Sequence, residues 1–206
     1  MKMNLPNKLT LLRLCLVPVI LIVGMIPMNI YLSCLICAVL FIITSVTDML
    51  DGKIARKYNL ITDFGKFLDP IADKFMVIGA LFVILYKFSN LRTLMIFVIL
   101  VIVFRELAVT SMRLVVSTGK NIVIAANYLG KLKTVSQIVF ICTVFLEPVL
   151  QLAVKYIANK LGAVWSFLPG EIVPLTYVTM LFTVVMTVWS GVNYILGYWK
   201  YLDPEK

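Results

Sequence analysis

Residues 48–73, DMLDGKIARKYNLITDFGKFLDPIAD, decide how the rest of the chain is read. They carry Asp48, Asp51, Asp69 and Asp73, and they stand between the apolar runs LSCLICAVLFIITSV and MVIGALFVILY. An ionisable group in hydrocarbon costs roughly 2.5–3.5 kcal/mol or more, so a cluster of them persists only where something neutralises it. On a helix, Asp48, Asp51, Gly52, Ala55 and Arg56 fall within an arc of roughly 140°. Gly65, Asp69 and Asp73, spaced by four, stack on one face of the next helix. The short polar segment 57–64 reads as a tight turn between antiparallel neighbours. Two helices are therefore expected to present two carboxylates each to a shared cleft.

The chain contains no histidine, so such a site would offer oxygen ligands only. Hard divalent cations such as Mg²⁺ or Mn²⁺ match it and zinc does not. Four carboxylates can accommodate two ions, and a metal pair suits a displacement at phosphorus. Gly52, Ala55 and Gly65 sit where larger side chains would fill the cleft, which points to a ligand lying close against backbone. Arg56, one turn beyond Gly52, can pair bidentately with a phosphate.

Written as D-x2-D-G-x2-A-R-x8-G-x3-D-x3-D, the stretch resembles the signature of the CDP-alcohol phosphotransferases at all eight fixed positions. Helix caps alone would need one or two acidic groups at helix ends, not four facing inward. The resemblance implies an all-α integral membrane enzyme with six transmembrane helices, assembled as a homodimer, that displaces CMP from a CDP-linked lipid or alcohol. It implies that Asp48, Asp51, Asp69 and Asp73 form the metal site for two Mg²⁺ or Mn²⁺ ions. Asp51, Gly52, Ala55, Arg56 and Gly65 would shape the CDP pocket. Asp73 would be the general base on the acceptor hydroxyl.

Composition agrees. With 206 residues, 62% hydrophobic and only 14% charged, and a mean hydropathy of +1.02, the chain reads as one membrane domain, 1–206. The formal net charge of +9 comes from basic residues at the ends of apolar runs. That placement favours membrane lipid headgroups and phosphorylated substrates as partners over nucleic acid. Cys34 and Cys37 form a C-x2-C inside an apolar run, where they read as small buried residues.

In chain order, residues 1–13 are expected to form a short basic N-terminal juxtamembrane helix opened by Pro6. Spans are expected near residues 11–28, 31–58, 65–86, 91–117, 129–148 and 173–198. Pro70 would start or bend the third. Residues 149–162 read as an amphipathic interfacial segment, and Trp165 to Gly170 as an interfacial loop. This order places fifteen Lys and Arg on one side and four on the other. The positive-inside rule then puts both termini and the motif on the cytoplasmic face of a bacterial plasma membrane.

The motif fixes the CDP half of the reaction, and the acceptor must be read elsewhere. Arg105, Arg113, Lys131 and Lys133 bring more positive charge towards the cavity than a CDP diphosphate requires, which an acceptor carrying its own phosphate would explain. NLPNKLTLLR (4–13), RELAVTSMR (105–113) and GKLKTVSQ (130–137) resemble the corresponding segments of bacterial members of the family that join CDP-diacylglycerol to sn-glycerol 3-phosphate. Inositol phosphate is the rival acceptor. A divalent-cation transporter is the rival of another class, but its ion path would need polar groups at both ends of the spans.

Overall fold

In hydrocarbon an apolar run can satisfy its own backbone only as a helix, and six α-helices account for nearly all of the described chain. The computed structural model describes residues 4–58, 62–120, 128–160 and 174–199; the side chains of Arg56, Lys66 and residues 117–120 lie outside that description. The helices are α1 (Leu5–Met25), α2 (Ile30–Lys57), α3 (Asp63–Lys87), α4 (Arg92–Lys120), α5 (Tyr128–Lys160) and α6 (Pro174–Tyr198), with a 3₁₀ turn at Ser89–Leu91 before α4. Five of the six are long and apolar enough to cross a membrane. The exception, α3, has 25 residues, but its first half carries Asp63, Asp69, Asp73 and Lys74.

Three sequence expectations need correction. Residues 5–13 do not form a separate juxtamembrane helix, because α1 runs unbroken from Leu5 to Met25 with Pro6 in its first turn, where a missing N–H costs nothing. The fifth helix does not stop at Pro148 but continues through it to Lys160, so residues 149–160 extend a long helix. Pro70 does not start the third helix either; it lies inside α3, which Thr62 caps by accepting from the Gly65 N–H at 3.1 Å. The 165–170 loop and the C-terminal tail lie outside the described residues.

Side-chain contacts fix the directions of the helices. α1 and α2 are antiparallel, with Arg13 meeting Asp51 near one end and Cys37 Sγ lying 3.9 Å from the Ile20 carbonyl further along. α1 and α3 run parallel, from Thr10 against Asp69 to Lys87, whose Nζ donates to the Gly24 carbonyl at 3.2 Å. Close approach of this pair depends on two glycines. A Cβ on Gly24 would sit 2.3 Å from Val83 Cγ1, and one on Gly79 would sit 2.7 Å from Val17 Cγ1. Small residues at a membrane-helix crossing let the backbones come together in this way. α5 packs against α6 and α2, and α4 against α6 and α3. Phe41, Leu81, Ile84, Met95, Phe140 and Phe145 fill the shared core. The resulting up-and-down order gathers the start of α1, the end of α2, the start of α3, the second half of α4, the start of α5 and the end of α6 at one end of the bundle.

At the other end, Glu147 on α5 reaches the first turn of α6. Its carboxylate accepts from the backbone N–H of Leu175 at 3.1 Å and of Thr176 at 2.7 Å. These are helix-terminal N–H groups with no intrahelical partner, and Glu147 itself is buried. Glu147→Ala should therefore destabilise the protein by about 1–3 kcal/mol, with Glu147→Gln in between. Thermal unfolding in detergent reads this directly, and an Ala variant as stable as the parent would contradict the brace.

Candidate active site

The site begins on a helix that carries no acidic residue. On α1 the buried positions recur at helical spacing as Asn7, Thr10, Arg13, Val17, Ile20 and Gly24, polar for the first turns and apolar after. One stripe thus packs the core along most of its length and presents side-chain polarity at the site end. Arg13 is fully buried. Its Nη1 donates to Asp73 Oδ1 at 2.5 Å and forms an ion pair with Asp48 Oδ1 at 2.7 Å, while Nη2 donates to Asp51 Oδ2. One turn earlier, the Thr10 hydroxyl donates to Asp69 Oδ1 at 2.8 Å, with the Pro6 carbonyl 3.2 Å away as its alternative acceptor. All four motif carboxylates therefore meet the same face of α1, two from α2 and two from α3.

The four differ in access. Asp51 is buried, its side chain 7% exposed, whereas the side chain of Asp48 is 36% and that of Asp73 50% exposed. Asp73 thus stands at the mouth of the basin, where an incoming group can reach it. Gly52 and Ala55 are half-buried beside the α2 carboxylates. Arg56 is on α2, but its side chain lies outside the described residues. Gly65 stands where α3 meets α1: a Cβ there would meet Asn7 Oδ1 at 3.0 Å and Thr62 Oγ1 at 3.3 Å. Its small size serves the contact of α3 with α1, where Thr62 Oγ1 donates to Asn7 Oδ1 at 3.1 Å.

The donor set fits hard divalent cations. The four side chains supply carboxylate oxygens only; three of them meet at the Arg13 guanidinium and the fourth, Asp69, meets Thr10 one turn away on the same face of α1. Among the described residues no three carboxylates close into a ready nest for one ion. The reason is geometric: Asp48 and Asp73 share one guanidinium nitrogen and Asp51 takes the other, so the arginine holds them at its own spacing.

Beyond α3 lies a second polar cluster. Asp73 faces α1, and the next residue, Lys74, turns to α4, where Nζ donates to Thr110 Oγ1 at 2.7 Å. Arg105 Nη2 donates to Ser190 Oγ on α6 at 2.7 Å, and Arg105 Nη1 is 3.5 Å from Glu106. Arg113 donates to the Tyr194 hydroxyl through Nη2 at 2.9 Å and Nε at 3.1 Å, with its guanidinium carbon 5.4 Å from the ring centroid. Lys133 is buried and pairs with Glu106. Among the described residues, Arg105 Nε and Gln137 Nε2 are buried donors with no partner, and the Thr187 hydroxyl is likewise unpaired.

Of the four cations expected here, the structure gathers Arg105, Arg113 and Lys133. Lys131 is exposed, and residues two apart on a helix do not share a face. The sequence reading missed Lys74, Ser190 and Tyr194, and above all Thr10 and Arg13. The signal for the last pair is the N-x2-T-x2-R spacing in line with Val17 and Ile20, inside the NLPNKLTLLR segment.

A family model described as CDP-alcohol phosphatidyltransferase matches residues 3–189. A Bacillus subtilis protein named CDP-diacylglycerol–glycerol-3-phosphate 3-phosphatidyltransferase is 39% identical over 98% of both chains. Proteins of the same name from Rickettsia bellii, 42% identical over 65% of this chain and 70% of that one, and from Yersinia pestis, 28% identical over 99% and 100%, are also similar.

Proposed function

This chain belongs to the CDP-alcohol phosphatidyltransferase family, and from that premise we propose that it transfers the phosphatidyl group of CDP-diacylglycerol to sn-glycerol 3-phosphate. The products are phosphatidylglycerophosphate and CMP, which makes it an enzyme of phospholipid synthesis. The observation that carries this reading is the partition made by α3, with an acidic basin on the Asp73 side and a cluster of cations on the Lys74 side. A donor whose diphosphate needs neutralising belongs to the first, and an acceptor bearing its own phosphate to the second.

Asp48, Asp51, Asp69 and Asp73 would hold two Mg²⁺ or Mn²⁺ ions. Bound there, the ions would supply charge neutralisation of the diphosphate and of the departing CMP. Asp51, Gly52, Ala55, Arg56 and Gly65 would shape the pocket for the nucleotide. The acceptor phosphate is held by Arg105, Arg113 and Lys133, each beside a polar group that fixes its head. Asp73 removes the proton from the acceptor hydroxyl, the hydroxyl oxygen forms a bond to the phosphorus that bears the diacylglycerol, and the bond from that phosphorus to the CMP oxygen breaks. Much of the rate then comes from alignment of the two substrates across α3.

In this reading α3 is the sixth span, both termini and the site face the cytoplasm of a bacterial cell, and the active form is a homodimer. The fifteen-to-four distribution of basic residues supports the orientation, and the family resemblance supports the dimer. A substrate panel tests the whole reading: CDP-diacylglycerol with glycerol 3-phosphate, inositol phosphate, inositol or serine, following CMP release. Release with glycerol 3-phosphate alone is expected, and release only with another acceptor would overturn the assignment.

The acceptor side has its own test. Arg113→Gln removes a charged donor pair, worth on the order of tenfold to a hundredfold in binding. The KM for glycerol 3-phosphate should rise by that factor while the KM for CDP-diacylglycerol changes little. Equal changes in both would remove Arg113 from the acceptor site.

A further inference from the structure

Arg13 is fully buried, bridges Asp48, Asp51 and Asp73, and its Nε has no partner among the described residues. A buried guanidinium normally has its donors satisfied, and one held this rigidly on a packed helix cannot leave with the solvent. It occupies the volume that divalent ions would share. Four carboxylates against one guanidinium leave the basin strongly anionic. Two divalent ions would carry it past neutrality, turn the carboxylate oxygens towards the metal, and leave the guanidinium facing like charge with no acceptors.

We infer that Arg13 is a resident cation of the carboxylate basin: divalent metal displaces its guanidinium from the aspartates, and the freed donors then take a phosphate oxygen of a substrate. This rests on the metal and substrate reading above and adds to it a coupling between the two binding events. Without substrate, metal must compete with Arg13 and binds weakly. With a phosphate-bearing ligand present, Arg13 has another partner and the competition disappears. By linkage, the ligand must also bind more tightly when metal is present. An arginine suits this exchange because its planar fork fits carboxylate and phosphate alike.

The test is Mn²⁺ binding to the purified full-length protein in detergent, followed by electron paramagnetic resonance of the free ion, alone and with saturating CDP or glycerol 3-phosphate. Arg13→Gln should bind Mn²⁺ alone about tenfold more tightly than the parent, and the tightening produced by the phosphate ligand should fall by about the same factor. The arm that shows the change, CDP or glycerol 3-phosphate, identifies which phosphate Arg13 takes. Mn²⁺ affinity that is unchanged or weaker in Arg13→Gln, or coupling equal in both proteins, overturns the inference while leaving the metal site intact. No Mn²⁺ binding by the parent even with saturating CDP or glycerol 3-phosphate overturns the metal reading along with it. A measurement that needs no variant guards against a misfolded one: in protein labelled with ¹⁵N-arginine, the Arg13 Nε–H resonance should move on Mg²⁺ addition, and an unmoved resonance overturns the exchange.

Discussion

Asp73→Asn should lower CMP release by about 10²–10⁴-fold, the range for loss of a positioned general base, while the protein still folds. Asn keeps the volume and can still accept from Arg13 Nη1, so the contact between α1 and α3 survives. It cannot take a proton from the acceptor hydroxyl. The half-exposed position of the Asp73 side chain and its place on α3 just before Lys74, which reaches α4, make it the carboxylate closest to the cation cluster. Because Asp73 is also assigned to the metal site, Mn²⁺ binding should be measured beside activity. A large loss of rate with little loss of Mn²⁺ affinity supports the base assignment, and a wild-type rate sinks it.

Asp51→Asn should be as damaging for a different reason. Asp51 is the buried one of the three carboxylates that Arg13 bridges, so no solvent replaces what it supplies. Losing its charge should cost on the order of 10³ in rate, comparable with removal of one preorganised electrostatic contact, and should raise the Mn²⁺ concentration needed for half-maximal activity. It also leaves Arg13 with one fewer acceptor, so the metal-free protein should unfold at a lower temperature. Asp48→Asn, at a partly exposed position, should show the same metal effect with a smaller loss of stability. An Mn²⁺ dependence unchanged in Asp51→Asn would remove that residue from the metal site.

Several features of the molecule were legible because they are local. Helices α2, α3, α4 and α6 lie within a few residues of their expected bounds, since a long apolar run bounded by charge leaves the backbone one solution in a membrane. The convergence of Asp48, Asp51, Asp69 and Asp73 followed from spacings of three and four on two consecutive helices. Where the reading failed, it used local signals for non-local facts. Pro148 looked like a terminator, yet α5 passes through it and anchors α6 through the adjacent Glu147.

Sequence by itself determined that this is a helical membrane protein with an acidic phosphotransfer motif at one end of its spans, because hydropathy and helical periodicity are properties of neighbouring residues. Only the tertiary structure decided what faces the motif. Arg13 and Asp73 are separated by 60 residues, Arg113 and Tyr194 by 81, and Arg105 and Ser190 by 85. No pattern within a helix reports which other helix it will pack against. That choice follows from the fit of Gly24 to Val83 and of Gly79 to Val17, which sets α1 beside α3 and so brings a buried arginine into the middle of the carboxylates.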